Sequence, residues 1–183
     1  MYHPRGEPVV FSRDCEAVVI PAGDSGTIPA GAEGTLTQAL GGSYTVYLQG
    51  SLFRIAGTDG DAIGQEAAKA PELSADATDQ DVEQLVWDQM HTCFDPEIPI
   101  DIVELGLVYS CVIRKEDDGE REVDIEMTLT APGCGMGEIL AGDVRSKVEM
   151  IPTIRKANVE LVFDPPWSSE MMSEAARLQT GMY

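Results

Sequence analysis

From Val123 to Thr130 the chain alternates without a break: Val123, Ile125, Met127 and Leu129 are apolar, while Asp124, Glu126, Thr128 and Thr130 are polar. A period of two puts the apolar set on one face of a strand and the polar set on the other, so the segment reads as a strand half-buried against a core. Residues 131–137 (APGCGMG) follow directly, and three glycines and a proline in seven residues demand a turn. Leu140, Val144, Val148 and Ile151 then recur at helical spacing.

The flanking segments extend this mixture. Thr78 and Asp81 form a plausible capping pair ahead of Val82, Leu85, Val86, Met90 and Cys93, which follow a helical period. Residues 107–113 give an apolar β run, with Cys111 alternating with Leu107, Tyr109 and Ile113 on the core face. Residues 115–121 make a solvated hairpin turn with Asp118 and Gly119 at its tip. Ala157, Val159, Leu161 and Phe163 mark a third strand. Met171, Ala175 and Leu178 line a closing helix that starts near Ser168 and stops at Gly181. The expected fold is a two-layer α/β (α+β) domain over residues 79–183, in the order helix, strand, strand, helix, strand, helix.

The first 57 residues read differently. Short β-branched and aromatic runs at 17–20, 35–37, 44–48 and 52–55 are separated by Gly41, Gly42 and Gly50, which predicts a small all-β module resembling a barrel. An octad recurs there, VIPAGDSG at 19–26 and TIPAGAEG at 27–34, and two copies fit successive loops of such a module better than a solenoid. No cluster of titratable groups is visible, so an accessory or docking role is expected. Residues 58–78 are rich in Ala, Gly, Asp and Glu with few large apolar groups, and predict a linker.

Charge narrows the function. The chain carries 32 acidic and 12 basic side chains, a net of −20, of which residues 71–183 hold −16. Such a surface repels nucleic acid phosphates and anionic lipid heads, so neither is an expected partner. No apolar run approaches the roughly 20 residues of a spanning helix. Cys15, Cys93, Cys111 and Cys134 share no CxxC spacing, which disfavours a zinc ribbon, a thioredoxin-type pair and a disulfide scaffold. A reduced cytoplasmic protein is the expectation.

Cys134 is the leading candidate for chemistry. Gly133 and Gly135 leave little packing around its sulfur, and the helix expected two or three residues later supplies free N–H donors and partial positive charge that favour thiolate over thiol. A thiolate is both a nucleophile and a soft metal ligand. A phosphate loop is not indicated, because the Gly-Lys-Ser/Thr ending and the GxGxxG spacing are missing. Residues 95–108 (DPEIPIDIVELGLV) contain two prolines that bar a continuous helix and hold Asp95, Glu97, Asp101 and Glu104 in a shaped loop. These carboxylates can cap helix ends, pair with Arg145 or Lys147, offer oxygen ligands, or scaffold the loop by hydrogen bonds. His91 and Cys93 do not share a helix face and read as surface and packing. In residues 164–172 (DPPWSSEMM) Trp167 either closes the core or docks a partner.

Taken together, these motifs resemble the SufT family of iron–sulfur cluster assembly proteins, within a wider domain family that includes PaaD-like proteins and the eukaryotic cytosolic iron–sulfur targeting adaptor. The matching residues are Asp95, Pro96, Glu97, Ile98 and Pro99; Asp101 and Ile102; Leu105, Gly106 and Leu107; Thr128, Thr130, Gly133 and Cys134; and Asp164, Pro165, Pro166, Trp167, Ser168, Met172 and Ser173. The Ile-Pro-Ala-Gly loops also look like the SufT branch, which extends the likeness to nearly the whole chain. Cys134 is followed by Gly135 where members of the wider family often carry Cys-Pro, and this agrees with the SufT branch.

The resemblance implies a role in maturing iron–sulfur proteins, with Cys134 as the principal residue, Gly133, Gly135, Thr128 and Thr130 around it, and assembly machinery and client apo-proteins as partners. Clusters commonly need four thiolates, so a transient cluster or iron held at one cysteine needs a homodimer, a partner's thiols or a small thiol to complete it. A metal-free adaptor between the machinery and its clients is the alternative. A thiol enzyme ranks last, because His3 and His91 are the only histidines and neither is placed as a base by the sequence.

Overall fold

The computed structural model describes residues 5–95, 98–133 and 135–182. The chain separates into two compact units, residues 1–69 and 70–183.

In the first unit six strands form one antiparallel sheet: β1 (Glu7–Val10), β2 (Cys15–Ile20), β3 (Ser25–Ile28), β4 (Glu33–Leu40), β5 (Ser43–Leu48) and β6 (Ser51–Ile55). Their spatial order is β1-β4-β5-β6-β2-β3. Val9, Phe11, Ala17, Ile28, Leu36, Val46 and Ile55 fill its core. The two octads do different work: the first turns β2 back onto β3 as a hairpin, and the second carries the chain from the β3 edge to β4, next to the opposite edge.

The first part of the expected linker over 58–78 is folded into the first unit, and the division between the two units falls after Lys69. Gly57–Ile63 is a 3-10 helix whose Ala62 and Ile63 are buried in the core of the first unit. Ser12 N–H donates to the Ala62 carbonyl at 2.8 Å, Tyr44 Oη to the Glu66 carbonyl at 2.8 Å, and Ala68 N–H to the Gly57 carbonyl at 2.7 Å. Overall polarity hid this, because two apolar side chains, Ala62 and Ile63, at the end of a helical turn are enough to anchor it in the core of the sheet. Further on, Leu73 packs against the core of the second unit.

The second unit is mixed α+β. Helix α1 (Asp79–Met90) starts in a complete capping box, with Asp81 N–H donating to Thr78 Oγ1 at 3.2 Å and Thr78 N–H to the Asp81 carboxylate at 2.7 Å. It buries Val82, Val86 and Met90. Strands β7 (Val108–Lys115) and β8 (Arg121–Met127) pair antiparallel, and β9 (Ile154–Leu161) pairs parallel with β8. That parallel step needs a crossover, which helix α2 (Gly137–Glu149) provides while burying Ile139, Leu140, Val144 and Val148. In β8 the alternation is complete: Val123, Ile125 and Met127 are buried, along with Arg121, whose guanidinium pairs with Asp79 and donates to Thr153 Oγ1 at 2.7 Å.

The chain end departs from expectation. Ser169–Met171 is a single 3-10 turn, Met172 is extended, and helix α3 (Glu174–Thr180) begins only after Ser173, whose Oγ accepts from Ala176 N–H at 3.1 Å. A serine three residues ahead of a free N–H is the stronger start signal, and it displaces the boundary from Ser168.

Candidate functional site

Asp95 lies just beyond α1 and is almost completely buried. One carboxylate oxygen accepts from Ile98 N–H at 2.9 Å, and the other accepts from Thr130 Oγ1 at 3.3 Å. The second bond joins the proline-bounded loop to the segment that leaves β8. Thr128, in the same segment, is buried, and its N–H donates to the Leu107 carbonyl at 2.8 Å. Two stretches far apart in sequence therefore meet along a short front. Beyond it, Gly133 is exposed with φ +82°, a left-handed conformation open to glycine at no steric cost. Gly135 is exposed, and α2 starts at Gly137 with no side-chain hydrogen bond at its cap, Met136. Cys134 and Glu97 lie outside the described residues.

The turn at 101–107 supports this front. Asp101 Oδ1 accepts from Val103 N–H and Glu104 N–H, both at 3.0 Å, and sits 3.1 Å from His91 Nδ1. Ile102 N–H donates to the Cys93 carbonyl at 2.9 Å, and Leu107 N–H to the Ile102 carbonyl at 2.9 Å. His91, expected to be plain surface, thus steadies the turn through Asp101. Lys147 pairs with Asp143 at 3.3 Å and donates to the Thr92 carbonyl at 2.6 Å, tying α2 to the chain that enters the loop.

Glu104 and Trp167 do not point to free chemistry. The Glu104 carboxylate accepts from Ser173 Oγ, and the Glu104 carbonyl accepts from Ser173 N–H at 2.8 Å. Trp167 is half-buried against the core, and its Nε1–H donates to the Leu105 carbonyl at 2.7 Å. Of the two readings of Trp167, the structure favours core closure. Ser173 belongs to the motif residues that carry the resemblance, but its bond to Glu104 is not readable from the sequence. Among the described residues no group of three His, Cys, Asp or Glu side chains is placed to hold a metal ion.

The remaining thiols are subdued. Cys111, half-buried on β7, has its thiol pushed up to about 11, chiefly by burial and then by the Glu83 charge. Burial, followed by the Asp59 charge, also raises the Cys15 thiol. Cys93 is fully buried. Among the described residues no helix is long and apolar enough to cross a membrane.

A family model described as iron-sulfur cluster assembly protein matches residues 83–161, a span that leaves the six-stranded unit outside it. A Porphyromonas gingivalis protein named Fe-S protein maturation auxiliary factor is 38% identical over 104 residues, which are 57% of this chain and 91% of that protein. The Staphylococcus aureus Fe-S protein maturation auxiliary factor SufT is 43% identical over 88 residues, 48% of this chain and 96% of its own length. The Bacillus subtilis Fe-S protein maturation auxiliary factor YitW is 36% identical over 88 residues, 48% of this chain and 82% of that protein. With two such relatives covered almost end to end at this identity, and with the matched span holding both Asp95 and Thr130, the chain belongs to the SufT family of iron–sulfur cluster assembly proteins.

Proposed function

We propose that this protein assists the maturation of iron–sulfur proteins, passing a cluster or its iron to client apo-proteins through the Cys134 thiolate. The observation that carries the reading is the similarity to relatives named as Fe-S protein maturation auxiliary factors over nearly their whole length. The chemistry around position 134 supports it. A glycine in the left-handed region precedes the cysteine, a helix without a side-chain cap starts three residues after it, and a buried carboxylate braces the strand end through Thr130. Uncapped N–H donors favour a thiolate nearby.

The cluster is cargo. In the transfer the bond between iron and the Cys134 sulfur breaks as a client thiol, losing its proton, takes the iron; Cys134 regains a proton, and no atom changes oxidation state. Because one thiolate leaves the iron incompletely ligated, a second copy of the chain, a partner or a small thiol completes the set. The protein acts as a carrier rather than an enzyme, in a reducing cytoplasm, and the six-stranded unit serves as an accessory docking module.

The test is anaerobic purification with iron and sulfide analysis, beside the activity of a client enzyme in cells carrying Cys134→Ala. Iron and sulfide that disappear in the variant, together with lost client activity, support the carrier. Full client activity in Cys134→Ala overturns the thiolate's role. Metal-free protein that still captures assembly partners replaces it with an adaptor.

A further inference from the structure

We infer that residues 164–173 form a strap that positions the Asp95–Thr130 contact, so that Trp167, Ser173 and Glu104 act on the site through the 101–107 turn without touching cargo. The functional half of this inference rests on the proposed carrier role; the structural half does not.

Hydrogen bonds and one backbone-to-backbone approach join the strap to this region. Trp167 Nε1–H donates to the Leu105 carbonyl at 2.7 Å. Ser173 N–H donates to the Glu104 carbonyl at 2.8 Å, and Ser173 Oγ donates to the Glu104 carboxylate. Tyr109, just past the turn, donates through its Oη to the Pro165 carbonyl at 2.8 Å. Gly106, at φ +70°, has the Met171 carbonyl oxygen lying where any Cβ would sit, so turn and strap meet backbone to backbone. A hydroxyl has one proton to donate, and Ser173 gives it to Glu104 while accepting from Ala176 N–H at 3.1 Å. One oxygen therefore anchors the turn and caps α3, which couples the two.

On its other side the same turn holds the site. The Leu107 carbonyl receives Thr128 N–H, and Ile102 N–H reaches the Cys93 carbonyl two residues before Asp95. Loosening the strap frees the turn, and the turn is what fixes the spacing between the chain entering Asp95 and the chain leaving β8. Its carboxylate already engaged by a hydroxyl, Glu104 is an anchor; its N–H already donated, Trp167 is a clamp.

The experiment compares Ser173→Ala and Trp167→Phe with the unaltered chain by site-resolved amide hydrogen exchange. Exchange at Ile98 and Thr128 is expected to quicken about tenfold or more while Ile125, inside β8, changes less than about twofold, as in opening of a local unit. Ser173→Thr, which keeps the hydroxyl, restores the pattern. In client maturation Ser173→Ala lowers activity alone but adds no further loss to Asp95→Asn, because both act on one contact. Uniform acceleration across the unit, no acceleration at Ile98 and Thr128, or losses that multiply would each overturn the strap. If Cys134→Ala keeps full maturation while the exchange pattern holds, the carrier proposal falls and the strap stands.

Discussion

The Thr130 hydroxyl meets the Asp95 carboxylate at 3.3 Å across 35 residues of sequence. Asp95 is 4% exposed, and its two carboxylate oxygens accept from Ile98 N–H and Thr130 Oγ1. Leaving a buried acceptor without its donor costs about 1–3 kcal/mol. Thr130→Val keeps the shape and removes the donor. It is expected to lower the urea stability of the second unit by about 1–3 kcal/mol, whereas Thr130→Ser retains most of it. Equal stability for Val and Ser variants would show that the contact contributes nothing.

Gly106 and Gly133 differ in what surrounds them, and the difference is measurable. Gly106 has φ +70° with the Met171 backbone packed against it; Gly133 has φ +82° with open space around it. An alanine at either position meets the left-handed penalty of about 1–2 kcal/mol. Only at 106 does the new methyl also collide with backbone, so Gly106→Ala is expected to cost well above that penalty and Gly133→Ala about that penalty alone. Thermal unfolding of the two variants checks the ranking, and equal losses would contradict the close approach.

The cap of α1 allows a cleaner measurement because Thr78 and Asp81 exchange bonds in both directions. Thr78→Ala removes the acceptor for Asp81 N–H and should cost about 0.5–2 kcal/mol. Thr78→Ser should be nearly silent. Chemical denaturation followed by far-UV circular dichroism reports both.

What the sequence disclosed, and what it hid, follows from how far each signal reaches. The alternation in β8 and the Thr78 cap are local, and both stand in the structure at the residues that carry them. The 3-10 helix at Gly57–Ile63 escaped because its burial depends on a sheet dozens of residues earlier, not on its own composition. The carboxylates of residues 95–104 were visible as a set, yet their roles were not. Asp101 holds its own turn through N–H groups two and three residues on, a local pattern, whereas Asp95 reaches Thr130 and Glu104 reaches Ser173, partners that no spacing rule predicts. The strap at residues 164–173 was legible as a stiff, aromatic segment, but its target was not, because the contact joins residues more than sixty positions apart.

The thiols supply a pH test with a definite sign. Cys111 loses its proton near 9 when unfolded but near 11 in the folded chain, since burial disfavours the thiolate and Glu83 adds a like charge. Between those values the folded state binds more protons than the unfolded one, so stability falls as pH rises. The contribution is intact below pH 9 and is lost progressively up to about 11. Comparing urea midpoints at pH 8 and at pH 10.5, the drop should shrink in Cys111→Ser, where nothing remains to titrate at that position. The same shift leaves Cys111 with about 100-fold less thiolate near neutral pH than a thiol of ordinary acidity. Iodoacetamide at pH 7.5, with peptides resolved by mass spectrometry, should therefore modify Cys111 far more slowly than the same thiol in the urea-unfolded chain. Labelling at equal rates would mean that the β7 thiol is not shielded, and the pH dependence of stability assigned to it would fall with that result.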